Sequence, residues 1–148
     1  MILLKTNATN KDFIALIKAL DAYLKVTDGE EHDFYNQFNG LEDLSHVLVV
    51  YNNNAPIGCG AIKHFTDTTF EIKRMYVKPD FRGKGVASKI LNALEQWSRD
   101  LKYTSCILET GTRQLEAIAL YHKNHYEIIP NYGPYKEVEN SICFRKKL

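Results

Sequence analysis

Arg82-Gly83-Lys84-Gly85-Val86-Ala87-Ser88 is the stretch from which the chain is best read. An apolar, β-rich run ends just before it, and an amphipathic helical pattern starts inside it. Its amides therefore lie at a helix N-terminus, where the partial positive charge of the helix favours an anion such as a phosphate. Glycines let the backbone approach that anion closely, and Arg82 and Lys84 add charge. A nucleoside-triphosphate loop needs Gly-Lys followed by Ser or Thr, but Gly85 follows Lys84. A dinucleotide fingerprint needs Gly or Ala where Ser88 stands, and a parallel strand–helix–strand unit at the start of the chain. Both conditions fail.

Outward from the loop, the hydrophobic period identifies the elements. Val86, Ile90, Leu94, Trp97 and Leu101 mark one face of a helix, widened by Ala87 and Leu91. A strand follows over 104–109, a helix over 114–124, and strands over 126–129 and 141–145. Before the loop, residues 46–51, 57–65 and 70–77 are strand runs, separated by Asn52-Asn53-Asn54 and Thr66-Asp67-Thr68-Thr69. Short polar turns between such runs imply an antiparallel meander. Residues 2–5 suggest a strand, and Thr9-Asn10-Lys11-Asp12 a capping box for a helix carrying Phe13, Ile17, Leu20 and Leu24. Residues 28–31 repeat the capping pattern ahead of Phe34, Tyr35 and Phe38, a second, shorter helix. The strand–loop–helix–strand crossover makes two middle strands parallel. The expected fold is α/β: a mixed, mostly antiparallel sheet of six to seven strands with helices on both faces, in one domain over 1–148.

Composition excludes other classes. Nineteen Lys and Arg against 18 Asp and Glu give a net charge of +1, no footprint for nucleic acid or an anionic membrane. Cys59, Cys106 and Cys143 are scattered in apolar runs and read as buried free thiols in a reducing, cytoplasmic compartment. His122 and His125 lack further ligands, so no metal site is expected. Signal-peptide and membrane-spanning patterns are missing from the sequence.

Arg82, Gly85 and Ala87 meet a third loop pattern: Gln or Arg, two residues, Gly, one residue, then Gly or Ala. It resembles the pyrophosphate loop of the GNAT superfamily of acyl-CoA-dependent N-acetyltransferases. Glu71-Ile72-Lys73-Arg74-Met75-Tyr76-Val77, then Pro79, resembles the strand before that loop, and Leu108-Glu109-Thr110-Gly111 the next strand and its exit. Ala117-Ile118-Ala119-Leu120-Tyr121 resembles the helix that carries the family's tyrosine. The likeness covers about residues 57–126. It implies the GNAT fold and acetyl-CoA as co-substrate, without metal. Arg82, Gly83, Lys84, Gly85, Val86, Ala87 and Ser88 would surround the pyrophosphate. Met75, Tyr76 and Val77 would present backbone to the pantetheine, and Tyr121 would protonate the leaving thiolate. Gln114 stands where members often have Asn, and His125-Tyr126 where Gly-Phe is common; Asn124 is expected to take the left-handed conformation there.

The same resemblance makes Glu71 the leading candidate for the base. The turn at 66–69 would set His64 opposite Glu71 on one sheet face, as a relay or an ion pair. Lys73 and Arg74 should point to opposite faces. Arg74 is chosen to hold a substrate carboxylate, against a salt bridge to a helix carboxylate such as Glu95. Tyr132-Gly133-Pro134-Tyr135 is an aromatic turn that would wall either the acceptor site or a homodimer interface. The expected activity is acetyl transfer from acetyl-CoA to the amine of a small, carboxylated molecule. The alternatives are an acyl-CoA sensor without turnover, a protein lysine or N-terminal acetyltransferase, and a nucleotide-dependent enzyme.

Overall fold

The computed structural model describes residues 1–29 and 44–148. The strands are β1 (Ile2–Thr6), β2 (His46–Asn52), β3 (Ala55–Thr66), β4 (Thr69–Val77), β5 (Ser105–Gly111), β6 (Glu127–Ile129) and β7 (Ser141–Lys147). The helices among these residues are α1 (Lys11–Asp28), α2 (Val86–Asp100) and α3 (Leu115–Lys123). One seven-stranded sheet runs β1-β2-β3-β4-β5-β7-β6. Only β4 and β5 pair in parallel, as the crossover through α2 requires. The helix expected to carry Phe34, Tyr35 and Phe38 lies outside the described residues.

Strand alternation divides the core. In β2, Val47 and Val49 join Phe13, Leu16 and Ile17 of α1 on one face. Leu48 and Val50 join Ile90, Leu91 and Leu94 of α2 on the other, where Tyr121 of α3 also packs. A strand covered on both sides reads as a continuous apolar run, which is what 47–50 is. Helix α2 comes close to the sheet at Gly60, where an added Cβ would sit 2.7 Å from Met75 Sδ and 2.9 Å from both Ile90 and Leu94.

Local details depart from expectation for tertiary reasons. Asn10, not Thr9, caps α1, its Oδ1 accepting from the Phe13 amide at 2.9 Å. The Asp12 carboxylate that would complete the predicted box accepts the Tyr51 hydroxyl of β2 instead, at 2.7 Å. At the end of α3, His125 rather than Asn124 is left-handed, with φ of 70°. Asn124 is committed elsewhere: its Nδ2 donates to Leu120 O at 2.9 Å and Ser88 Oγ at 3.2 Å.

Two register shifts between β3 and β4 shape the site. The first, between His64 and Thr66, sets Lys63 opposite Glu71 and His64 opposite Phe70. The expected His64–Glu71 pair does not form; His64 Nδ1 meets the Tyr103 hydroxyl at 2.8 Å. The second shift fits Arg74 and Met75 into the span opposite Gly60, with Arg74 at φ 58°. Non-glycine residues seldom adopt that conformation outside bulges and turns. The bulge breaks alternation, so Lys73 and Arg74 line the same cleft beside α1 rather than facing opposite sides. Arg74 Nη2 then bonds Asp21 of α1 at 2.6 Å, not Glu95. Glu95 is engaged on the other face by the Tyr126 hydroxyl at 2.8 Å and Lys146 at 2.9 Å.

Candidate active site

β4 and β5 pair only over 69–71 and 105–107 and then part. Their divergence opens a cleft of about 650 Å³, bordered by α1, the loop ahead of α2, and α3. Parallel strands that separate leave backbone groups of both strands without ladder partners, so 75–77 can pair with an extended ligand.

The glycine loop forms one end. Gly83 and Gly85 have φ of 74° and 81°, and a Cβ at either would meet nothing among the described residues within 4 Å. Packing therefore does not demand glycine there; the left-handed turn does. Gly85 is the N-cap of α2, and among the described residues no side chain caps the helix. The first-turn amides of 86–88 are thus left for an anion at the cleft. Arg82 is anchored at the mouth: its Nε donates to Val77 O at 2.8 Å, and its guanidinium lies over Tyr23 and Tyr76. The Lys84 ammonium sits over Phe81 instead of lining the cleft. Gln114, at the start of α3, is buried, and its Nε2 has no partner among the described residues. A buried unpaired donor costs about 1–3 kcal/mol. A ligand carbonyl would relieve that cost, so the residues present suit a long, pyrophosphate-bearing thioester.

The other part of the cleft gathers ionisable groups. Tyr121 is buried, its ring edge-on to Tyr126 at 5.8 Å and tilted against Phe144 at 5.7 Å. Burial, and then the Glu109 charge, push its hydroxyl well above the ordinary phenol range, so it stays a proton donor. Glu71 Oε2 accepts from the Tyr132 hydroxyl at 2.7 Å, and Oε1 lies 4.0 Å from Lys73 Nζ. Tyr132 itself is outside the lining; Tyr135, edge-on to it, is inside. Burial lowers the Lys73 pKa, against the pull of Glu71. Arg74 Nε is buried with no partner among the described residues, although Nη2 holds Asp21.

Glu109 is the residue that sequence reasoning missed. It lines the cleft from β5, and burial lifts its carboxyl to about 7, although Ser141 Oγ donates to it at 2.6 Å. The signal was a lone acid in the apolar strand of 105–110, where an ionised group is costly unless the site uses it. Apart from Lys84, every residue that the sequence assigned to the acyl donor lines this cleft, and so do Glu71 and Arg74. Among the described residues no group of His, Cys, Asp and Glu is placed to hold a metal ion, and no helix is long and apolar enough to cross a membrane.

A sheet parted between parallel strands, with a glycine loop at one end and a buried tyrosine beside it, belongs to an acyltransferase class that known relatives share. An IAA acetyltransferase of Azospirillum brasilense is 33% identical over 144 residues, 91% of this chain and 90% of its own. A crystal structure of a Klebsiella pneumoniae protein described as an acyl-CoA N-acyltransferase superposes with a TM-score of 0.83 at 32% identity, covering 99% of this chain and 97% of that one. A GNAT acetyltransferase of Elizabethkingia anophelis, crystallised with acetyl-CoA bound, shares the fold at a TM-score of 0.73 and 18% identity, over 99% and 97% of the two chains. The model of the acetyltransferase (GNAT) family matches residues 13–126. The chain belongs to the GNAT acetyltransferase family.

Proposed function

We propose that this protein transfers an acetyl group from acetyl-CoA to the amine of a small, carboxylated molecule, by direct attack within a ternary complex. The observation that carries this is the continuity of one cleft, from the uncapped amides of α2 to Glu71, Glu109 and Tyr121. Likeness to an acetyltransferase over nine-tenths of both chains favours turnover over a binding-only role. Three buried, unbridged cysteines are in keeping with a cytoplasmic setting.

The bound thioester supplies an activated acyl carbon, and the residues supply orientation and protons. The 86–88 amides hold the pyrophosphate, and Gln114 Nε2 donates to the pantetheine arm. Backbone of 75–77, beyond the bulge, pairs with that arm like an added strand, and one of its amides polarises the carbonyl. Glu109, held at about 7, takes the proton from the amine; Glu71 attracts the incoming ammonium form. Tyr121 protonates the departing thiolate. Arg74 presents its unpaired Nε to the acceptor's carboxylate, and Tyr132, from outside the lining, holds Glu71 in place through its hydroxyl.

Calorimetric titration with acetyl-CoA, ATP and NAD tests the donor, and an acetyl-CoA-coupled screen of amino acids, their amides and short peptides tests the acceptor. Heat with acetyl-CoA alone and turnover of free acids is the expected result. Binding of a nucleotide in place of acetyl-CoA, or acetyl-CoA binding without turnover of any amine, would overturn it.

A further inference from the structure

The acceptor part of the cleft already contains an amine. Lys73 is in β4, two positions before Met75, with its side chain 11% exposed and its Nζ 4.0 Å from Glu71 Oε1. Glu109 interacts electrostatically with both Lys73 and Tyr121. One cleft thus brings an amine, two carboxylates and a phenol together, the groups that acetyl transfer to an amine uses. Lys123 is the other lysine lining the cleft; it ends α3 and is exposed. Lys84 is laid over Phe81 and Lys146 is bonded to Glu95, so neither competes for this position.

We propose that Lys73 is a self-acetylation site, modified in cis from bound acetyl-CoA when no acceptor occupies the cleft; the proposal rests on the acetyltransferase reading above. Nζ in its neutral form attacks the thioester carbonyl carbon. A C–N bond forms as the C–S bond breaks, a proton passes from the nitrogen to the Glu109 carboxylate, and the thiolate takes the Tyr121 proton. The products are an amide on Lys73 and free CoA; Tyr121 regains its proton from Glu109 through solvent, and nothing is oxidised or reduced. Two features of the site favour the step. Burial enlarges the neutral fraction of Lys73. Tethering to β4 makes the reaction intramolecular once the donor binds. Acetylation removes a cation that interacts with Glu71 and Glu109 and fills cleft space, so a modified enzyme should bind its amine less well.

The test uses the intact enzyme and acetyl-CoA with an isotopically heavy acetyl group, without acceptor, followed by digestion and mass spectrometry. Lys73 should take the label at least about tenfold faster than Lys123, because Lys73 is largely buried in the cleft and interacts with Glu109 whereas Lys123 is exposed. Excess unlabelled coenzyme A should suppress labelling of Lys73 and leave Lys123 unchanged. Tyr121→Phe should slow Lys73 labelling by about tenfold or more; the coenzyme A arm needs no variant and stands if that one misfolds. Acetyl-CoA bound by calorimetry and consumed with an added amine, while Lys73 stays unlabelled, would overturn the proposal and leave the acetyltransferase reading intact. Labelling of Lys73 no faster than Lys123 and indifferent to coenzyme A would mark ordinary surface chemistry and overturn it too. Failure to bind acetyl-CoA would remove both.

Discussion

Ser141 Oγ donates to Glu109 Oε2 at 2.6 Å, yet the Glu109 carboxyl is held at about 7 rather than near 4.5. Desolvation outweighs the hydrogen bond and the nearby Lys73 charge. Acceptor turnover in the wild type should therefore rise as pH passes through about 7. Glu109→Gln should lower kcat by ~10²–10⁴ and flatten that rise. Glu71→Gln should raise the amine KM and keep the profile. A Glu109→Gln enzyme with the wild-type pH profile would remove Glu109 from the base role.

The same carboxyl makes a stability prediction with a definite sign. Its folded pKa is raised, so the folded state binds more protons than the unfolded one between 4.5 and about 7. Stability then falls as pH rises through that window, by an amount on the order of 3 kcal/mol once ionisation is complete. Glu109→Gln should melt above wild type at about pH 8 and close to it at about pH 4. Thermal melts at the two pH values decide it; a variant less stable at both would contradict the sign.

Gly85 separates charge from conformation. Its φ of 81° suits glycine and is tolerated by Asn, and space around its Cβ position is open. Gly85→Asn should therefore fold and bind acetyl-CoA with a modest loss. Gly85→Asp has nearly the same shape but sets a negative charge against the pyrophosphate, so its KM for acetyl-CoA should be at least ~10-fold higher than that of Gly85→Asn, about 1.4 kcal/mol. Equal KM values in the two variants would move the pyrophosphate away from this loop.

What the sequence revealed was what neighbours along the chain determine. The glycine turn, the face of α2 and the alternation of Val47 to Val50 are local patterns, and Tyr121 is positioned by the helix that carries it. The two register shifts between β3 and β4 were not legible, because an extra residue such as Arg74 changes neither composition nor hydrophobicity, only which residues face each other. That insertion alone moved Arg74 onto Asp21, and the earlier shift took His64 from Glu71 to Tyr103. Asn10 rather than Thr9 caps α1, and the Asp12 carboxylate is engaged by Tyr51, remote in sequence. Glu109 stayed hidden because burial beside β7 raises its pKa, and no short motif encodes that.

Arg74 is more constrained than a free substrate clamp. Its side chain is 2% exposed and its ion-pair partner Asp21 is 38% exposed. Arg74→Ala should cost about 1–3 kcal/mol in denaturant unfolding, the lower part being favoured because Asp21 keeps its contact with water. Arg74→Lys should restore most of that stability without restoring the planar fork. On acceptors, both variants should raise the KM for a free acid far more than for its amide or ester. Equal losses on acid and amide would make Arg74 a tie between β4 and α1 and nothing more.

Tyr121→Phe separates proton donation from packing. The phenyl ring keeps the contacts with Tyr126 and Phe144, so the melting temperature should change little. Burial and the Glu109 charge keep the native hydroxyl protonated at any working pH, so no alkaline limb of the rate profile should belong to it. Without the hydroxyl the thiolate must leave unprotonated, and kcat should fall by ~10²–10⁴ at near-constant KM for acetyl-CoA. A donor with a more acidic thiol, such as a thiophenyl acetate, leaves without a proton, and the variant's deficit should shrink on it. The comparison is therefore a double ratio: wild type over variant, on acetyl-CoA and on the activated donor. Wild-type kcat in the variant, or an equal deficit on both donors, would show that Tyr121 only fills the space between Tyr126 and Phe144.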